Sequence, residues 1–314
     1  MDRVKVLYIT CSSFSGSTLL SFLLNTHPRM VTIGHTTGWA FGENEAFACS
    51  CGELLQECPF YSFVEAEFDK ANLHFDIRNF GTEYRLTENS RLNDLLVGCP
   101  PKIRSSVLER SRDHIVRRIP VWSDRLDRQD KANLVLMKAA LEYANADVYV
   151  DSSHRPHRLR HLAESGYFDL HVLHLVRDIR GVALSHMKRR SWDPALATKV
   201  WLNEQANILR ITDEFPQNLL VEYDELCDDV DTVLGRIHQF AGVDPLPIVD
   251  DFKEVDHHIL GNQMRLGAGK IKRDTKWQRE LSEADLDMIA NTARETLARS
   301  DNDALTQLVS RYLD

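Results

Sequence analysis

The 314-residue sequence has no apolar stretch approaching the roughly 18 residues of a membrane-spanning helix, so no transmembrane segment is expected. Its opening, MDRVKVLYIT, holds only a short apolar run of strand length, without the long apolar core and cleavage site of a secretory signal. A cytoplasmic location is the resulting expectation. There is no Gly/Ser-rich, Pro-rich or single-charge run and no internal repeat, so nothing marks a linker, and a single domain over residues 1–314 is expected. Excess positive charge is missing too. A formal net charge of -9 argues against a broad nucleic-acid-binding surface, because phosphate backbones are held by surplus Lys and Arg. A local basic pocket for a small anion remains open.

Paired CxxC spacing is also absent. Three of the six cysteines fall together as Cys49-Ser-Cys51-Gly and Cys58-Pro-Phe, but a structural tetrahedral metal site needs four ligands and only three thiols are local. His35 would be a fourth ligand only at the cost of the catalytic role given to it below. No metal is therefore expected, and the three read as a thiol cluster or as a disulfide between Cys58 and one of the others. Cys11 is expected to pack beneath the first loop. Cys99 and Cys227 carry no functional signal.

What the chain does contain is alternation. Val4 to Thr10 is a β-rich apolar run, and Ser17 to Asn25 presents Leu19, Leu20, Leu23 and Leu24 on a helical face. Helices are expected over 103–118 and 132–146, with short buried strands at 147–150 and 170–176. A basic helix, a helix over 197–215, a strand at 218–222 and a helix over 229–240 follow. This order predicts an α/β fold, P-loop-like and three-layered, with a central parallel sheet flanked by helices. Ligands of such sheets bind at the carboxyl ends of the strands.

The first such end is Cys11-Ser-Ser-Phe-Ser-Gly16-Ser17-Thr18, which has the length of the G-x-x-x-x-G-K-[ST] loop. Its small residues open a helix and offer backbone N–H groups and the positive helix end to an anion, with Ser13, Ser15, Ser17 and Thr18 adding hydroxyls. Serine stands where the lysine would grip β- and γ-phosphates, which makes ATP or GTP a poorer ligand. The alternative is a serine-rich strand-to-helix turn in which Ser17 caps the helix. The second end is LVRDIRGVALSHMKRR, with Arg177 where a strand stops and Ser185 about two helical turns on. A forked guanidinium there binds phosphate in bidentate fashion. Lys188, Arg189 and Arg190 fit a solvated basic helix better.

SFSGSTLL together with LVRDIRGVALS resembles the two donor-binding signatures of sulfotransferases that use 3′-phosphoadenosine-5′-phosphosulfate (PAPS). VEYDEL (221–226) and GNQMRLGAGKIKRDTKW (261–277) extend the resemblance over most of the chain, in particular to bacterial members with a CxCG…CPF segment. Residues roughly 62–130 match nothing in the family and are expected to form a helical insertion. The resemblance implies that Ser15, Gly16, Ser17 and Thr18, within the Ser13–Thr18 loop that includes Phe14, hold the 5′-phosphosulfate. It gives Arg177 and Ser185 the 3′-phosphate and puts Tyr223 near the adenine. Arg265, Lys270 and Lys272 would belong to a loop closing over the 3′-phosphate. Asp151-Ser-Ser-His-Arg-Pro resembles the family's DSS turn, which makes Ser152 and Ser153 acceptor-pocket residues, with Trp39 a further wall of that pocket.

The implied reaction moves a sulfuryl group to a hydroxyl or amine of a small-molecule acceptor, by in-line transfer that needs positioning and electrostatics and no metal. A base must reach the acceptor proton. His35, in Ile33-Gly-His-Thr-Thr, suits that role through its near-neutral intrinsic pKa, with Glu43 and Glu45 as local alternatives. Two positions depart from the family pattern. Phe14 stands where Lys or Arg often neutralises the leaving phosphate, and His154 stands where the DSS turn more often continues to Lys. His154 or Arg155, or the helix-end N–H groups, are then left to compensate. The competing readings are a P-loop phosphotransferase using a nucleoside triphosphate, and a non-catalytic protein that binds PAPS or its product adenosine 3′,5′-bisphosphate (PAP). The His257-His258 pair reads as a partly exposed structural feature.

Overall fold

Strand β1 (Val4–Cys11) is a run of apolar and β-branched residues buried along nearly its whole length, the pattern of a parallel strand covered on both faces. Val4, Val6 and Tyr8 join one core cluster while Leu7, Ile9 and Cys11 join another, as the two-residue strand repeat dictates. The computed structural model describes residues 2–37, 47–100, 105–249, 251–252, 258–260 and 271–313. After β1 come α1 (Ser17–Leu24) and the short β2 (Met30–Val31), then α2 (Pro59–Lys70), α3 (Ser90–Val97), α4 (Ser106–Val116) and the long α5 (Pro120–Ala144). Strand β3 (Val148–His154), α6 (Pro156–Ser165), β4 (Phe168–Val176), α7 (Ile179–Arg190), α8 (Pro194–Thr212) and β5 (Asn218–Glu222) continue the alternation. The chain closes with α9 (Tyr223–Asp228), α10 (Val230–Ala241), α11 (Trp277–Glu280), α12 (Glu283–Leu297) and α13 (Asp303–Leu313).

The five strands form one parallel sheet in the order β2-β3-β1-β4-β5. The chain leaves β1 to one side for β2 and β3 and to the other for β4 and β5, so the carboxyl end of β1 is the switch point where such sheets open a crevice. One face is covered by α2, α5 and α6 through Phe60, Val64, Leu136, Ala140 and Leu159. The other is covered by α1 and α10 through Leu20, Leu23, Leu234 and Ile237. A third cluster joins α7 and α8 to α12 and α13 around Trp201, Ile289 and Leu308. The expected three-layer α/β architecture is the one observed. Among the described residues no helix is long and apolar enough to cross a membrane.

Two boundaries differ from the sequence expectation in ways that matter. Helix α5 starts at Pro120 rather than at 132, because proline at the first helical position sacrifices no hydrogen bond. Strand β3 runs on to His154 rather than stopping at 150. Near its end Tyr8 pairs with Asp151 but Thr10 with His154, so β3 carries one residue more than β1 over that stretch. Such a bulge re-aims the side chains beside it, and His154 takes the left-handed backbone with φ of 67°.

Several histidines are buried in this framework. Burial holds His161 down to about 3 and His174 and His238 down to about 4, against an ordinary 6.5. Between those values and 6.5 the unfolded chain binds more protons than the folded one, so stability rises with pH across that window. The contribution is full above pH 6.5 and is lost as pH falls below it. The melting temperature is therefore expected to fall on going from about pH 7 to about pH 5, as followed by differential scanning fluorimetry. An unchanged melting temperature would mean that these imidazoles are not held neutral.

Candidate active site

The loop from Ser12 to Gly16 joins β1 to α1 at the switch point. Gly16 is the residue capping α1 and has φ of 94°, a conformation L side chains rarely adopt. A Cβ there would lie 2.5 Å from the Tyr223 ring, so both dihedral and space demand glycine. Phe14 has φ of 65° without glycine's freedom, a strained backbone of the kind that collects at functional sites. Beneath the loop the Ser12 and Ser15 hydroxyls are 2.8 Å apart, and Gln205 donates to Ser12 Oγ (3.3 Å) while its Oε1 meets His174 Nε2 at 2.7 Å. Glu204 accepts the Ser13 N–H; burial pushes its pKa up, with the Ser13 bond and Arg190 opposing. Its Oε2 is buried with no hydrogen-bond partner among the described residues.

The bulge at the end of β3 delivers His154 to this loop. Its Nδ1 lies 3.0 Å from Cys11 Sγ and its Nε2 3.2 Å from Ser17 Oγ. Burial pushes the Cys11 thiol up to about 12, and burial, His35 and Arg155 together push His154 down to about 3. A protonated thiol donates to Nδ1, so the neutral ring carries its proton on Nε2 and donates to Ser17 Oγ. The serine's own proton is then left for an anion over the loop. His35 lies edge-on to His154, with ring centroids 5.0 Å apart. Its pKa is lowered, chiefly by burial; Asp151 opposes the shift and Arg155 adds to it.

The chain that carries His35 is stitched to β3. Ser152 N donates to Gly34 O (3.3 Å) and Thr36 N donates to Ser153 Oγ (3.1 Å). Asp151 holds the turn itself: one carboxylate oxygen accepts Ser153 N (2.9 Å) and the other takes Arg158 Nε at 3.1 Å in a pair almost wholly buried. Arg158 also donates to the Thr82 carbonyl (2.7 Å) and to Asn133 Oδ1, so its buried charge is satisfied.

On the other side of β1, Arg177 stands at the end of β4. Its Nη1 donates to the Phe14 carbonyl (2.8 Å), its Nη2 is 3.2 Å from Asp274 Oδ2, and its guanidinium lies 4.7 Å from the Tyr223 ring centroid. Tyr223 thus lies between Gly16 of the first loop and Arg177, and Arg177, with Ser185, Lys188, Arg189, Lys276 and Trp277, lines a cavity of about 160 Å³. Ser185 Oγ donates back to the Gly181 carbonyl (2.9 Å) from within that cavity wall.

The structure therefore brings the Ser13 to Thr18 loop, His154 and His35 together, and groups Arg177 with Ser185 on one side and the Tyr223 ring on the other. Ser152 and Ser153 support His35 from behind. Lys272 is exposed and is not among the residues lining the second cavity. Trp39, Arg265 and Lys270 lie outside the described residues, as do Glu43, Glu45 and His257. At the end of α7, Lys188, Arg189 and Arg190 are exposed as expected, while Lys188 pairs with Glu280 and Lys188 and Arg189 also line the cavity. Lys276 and Trp277 were missed, because they reach the cavity from a distant segment. A signal was present in the basic pattern leading into Trp277. Arg180, which pairs with Asp178, fixes that indole, its guanidinium 3.9 Å from the ring centroid.

No protein-family profile and no curated sequence relative matches the chain. Solved structures do. The sulfotransferase domain of a Synechococcus olefin synthase is similar with a TM-score of 0.50 at 20% identity, over 96% of this chain and 98% of that one. The fold is that of a sulfotransferase domain. A sulfotransferase domain from the curacin biosynthetic pathway matches with a TM-score of 0.44 at 16% identity, over 84% of this chain and 83% of the other. A sulfotransferase from Mycobacterium avium matches with 0.43 at 15%, over 96% and 78%. Within this sulfotransferase fold the two groups of residues occupy the switch point, where the general rule for open α/β sheets puts the ligand.

Proposed function

We propose that the chain is an enzyme that transfers a sulfuryl group from PAPS to a hydroxyl or amine of a small-molecule acceptor. The observation that carries this reading is the pair of anion cradles separated by one tyrosine. The first lacks the lysine of nucleoside-triphosphate loops, and the second, around Arg177, is cationic. A donor with a 5′-phosphosulfate and a separate 3′-phosphate fits that pair, whereas a triphosphate needs one extended grip. Gly16 supports the arrangement by letting the Tyr223 ring pack directly against the loop backbone.

In this reading Ser15, Ser17, Thr18 and the α1 amino end hold the phosphosulfate, and Ser17 donates with its orientation set by His154 and Cys11. Arg177 and Ser185, with Lys188, Arg189 and Lys276, hold the 3′-phosphate. Lys272, Arg265 and Lys270 belong to the closing segment, and Ser152, Ser153 and Trp39 to the acceptor side. As the acceptor oxygen or nitrogen bonds to sulfur, the bridging S–O bond breaks and its electrons leave with the phosphate of PAP. The acceptor proton goes to the neutral imidazole of His35. Positioning and electrostatics supply most of the acceleration.

The charge missing at Phe14 has a local source. The guanidinium carbons of Arg189 and Arg190 each lie 5.8 Å from the Phe14 ring centroid, within cation–π range. Arg190 also lies 4.9 Å from the Trp192 ring, which stacks on His186. The aromatic residue thus holds arginines beside the loop where relatives place a basic residue in it. Calorimetric titration of the protein with PAP, with magnesium–ATP alongside, tests the donor class. Tight binding of PAP and little response to ATP are expected, followed by turnover of PAPS with a suitable acceptor. A preference for magnesium–ATP would favour phosphoryl transfer, and PAP binding without any turnover across an acceptor panel would favour a binding protein.

A further inference from the structure

The three clustered cysteines are not in a disulfide. Residues 47–55 form a tight reversal in which Cys49 N donates to the Glu53 carbonyl (2.7 Å) and Ala48 bridges Leu54 in antiparallel fashion. That reversal presents Cys49 and Cys51 side by side. Cys58 is the capping residue of α2, followed by Pro59 at the first helical position, where the positive helix end favours a thiolate. The fourth member comes from 200 residues away. His258 Nδ1 lies 3.2 Å from Cys58 Sγ and 3.7 Å from Cys49 Sγ, and Cys51 Sγ lies 3.8 Å from Cys58 Sγ. All four ligand atoms fall within 4.8 Å of one another.

The three distances are close to the edges of a coordination tetrahedron and far longer than a bond. With Zn–S of about 2.3 Å and Zn–N of about 2.0–2.1 Å, ideal tetrahedral angles put sulfurs about 3.8 Å apart and sulfur and nitrogen about 3.5 Å apart. A disulfide would need about 2.05 Å. The imidazole is held for the task by its surroundings. It stacks on Phe60 with centroids 4.8 Å apart and planes at 12°, and meets Tyr143 edge-on at 5.5 Å. Its carbonyl accepts the Tyr61 hydroxyl (3.1 Å), and the next N–H, that of Ile259, donates to Ser50 Oγ (2.7 Å). Aromatic packing and backbone bonds thus aim Nδ1 at the three sulfurs.

We infer that Cys49, Cys51, Cys58 and His258 form a structural zinc site. Three thiolates and one imidazole are soft and borderline donors, which disfavour magnesium and calcium and suit zinc. Four protein ligands close the coordination sphere, so the ion is structural and not catalytic. Its place in the fold is beside the segment that carries His35. Leu260, two residues after His258, bridges Gly34, donating its N–H to the Ile33 carbonyl (2.7 Å) and accepting from His35 N (3.4 Å). The ion therefore ties the hairpin and α2 to the strand that holds the backbone of His35. Sequence spacing hid the site because its fourth ligand is remote.

The site stands apart from the proposed reaction, so its test reads metal and stability. The protein is purified without chelator from zinc-supplemented medium and its metals are measured by mass spectrometry. One zinc per chain is expected, retained in Cys99→Ser and lost in Cys58→Ala and in His258→Ala. Should those variants fail to fold, the wild-type chain decides. A thiol-competitive chelator should lower its melting temperature and added zinc should restore it, and cobalt in place of zinc should show tetrahedral absorption with thiolate-to-cobalt charge transfer. Wild-type protein that carries no zinc, takes none up and melts unchanged with chelator would overturn the inference, as would a cobalt spectrum without thiolate bands.

Discussion

His35→Ala is expected to lower kcat by about 10²–10⁴-fold, the usual worth of a positioned general base, while PAP affinity stays within about twofold of the original. The division follows from geometry. His35 faces His154 across 5.0 Å and is held from behind by Leu260, whereas none of the residues lining the Arg177 cavity belongs to its segment. The pH profile supplies a second readout. Burial lowers the His35 pKa below the ordinary 6.5, and a base works in its deprotonated form. The acid limb of kcat should thus fall below pH 6.5, with a plateau above it. Loss of PAP binding in step with turnover would sink the assignment, because His35 would then be holding the cradle. An unchanged kcat would move the base elsewhere, with Glu43 and Glu45 the first carboxylates to test.

Arg177→Ala is expected to weaken PAP binding by about 10–150-fold, since hydrogen bonds to a charged group contribute about 1.5–3 kcal/mol. The side chain is only 9% exposed, so its hydrogen bonds are largely shielded from solvent. It also ties three parts of the site together, through the Phe14 carbonyl, the Tyr223 ring and Asp274. Arg177→Lys keeps the charge but not the planar fork, and should recover only part of the affinity. A melting curve for each variant separates lost recognition from a loosened loop. PAP affinity unchanged in Arg177→Ala would remove the second cradle from the donor site and with it the main support for PAPS.

The layer architecture was legible because it depends on local periodicity. β1, β4 and β5 are short strands rich in apolar and β-branched residues, and α1, α7, α8 and α10 alternate with them, so each fell within a few residues of its expected place. The first loop was legible for the same reason: eight contiguous residues encode its length, its glycine and its serines. Arg177 and Ser185 belong to one strand and the helix after it. Longer-range features were not legible. The start of α5 depended on how a proline is used, and the extension of β3 depended on pairing with β1.

The sequence by itself determined the alternation of strands and helices, the two motifs at strand ends and the absence of a P-loop lysine, because each is written in residues near one another along the chain. Tertiary structure decided what joins them. A bulge in β3 turns His154 toward Cys11 and Ser17, the end of α7 brings Arg189 and Arg190 to Phe14, and Lys276 and Trp277 close the Arg177 cavity from a distant segment. His258 completes the three-cysteine cluster from 200 residues away. The physical reason is the same in each case: local propensity is set by neighbours in sequence, whereas a site is set by which side chains the packed layers leave within a few ångströms of one another.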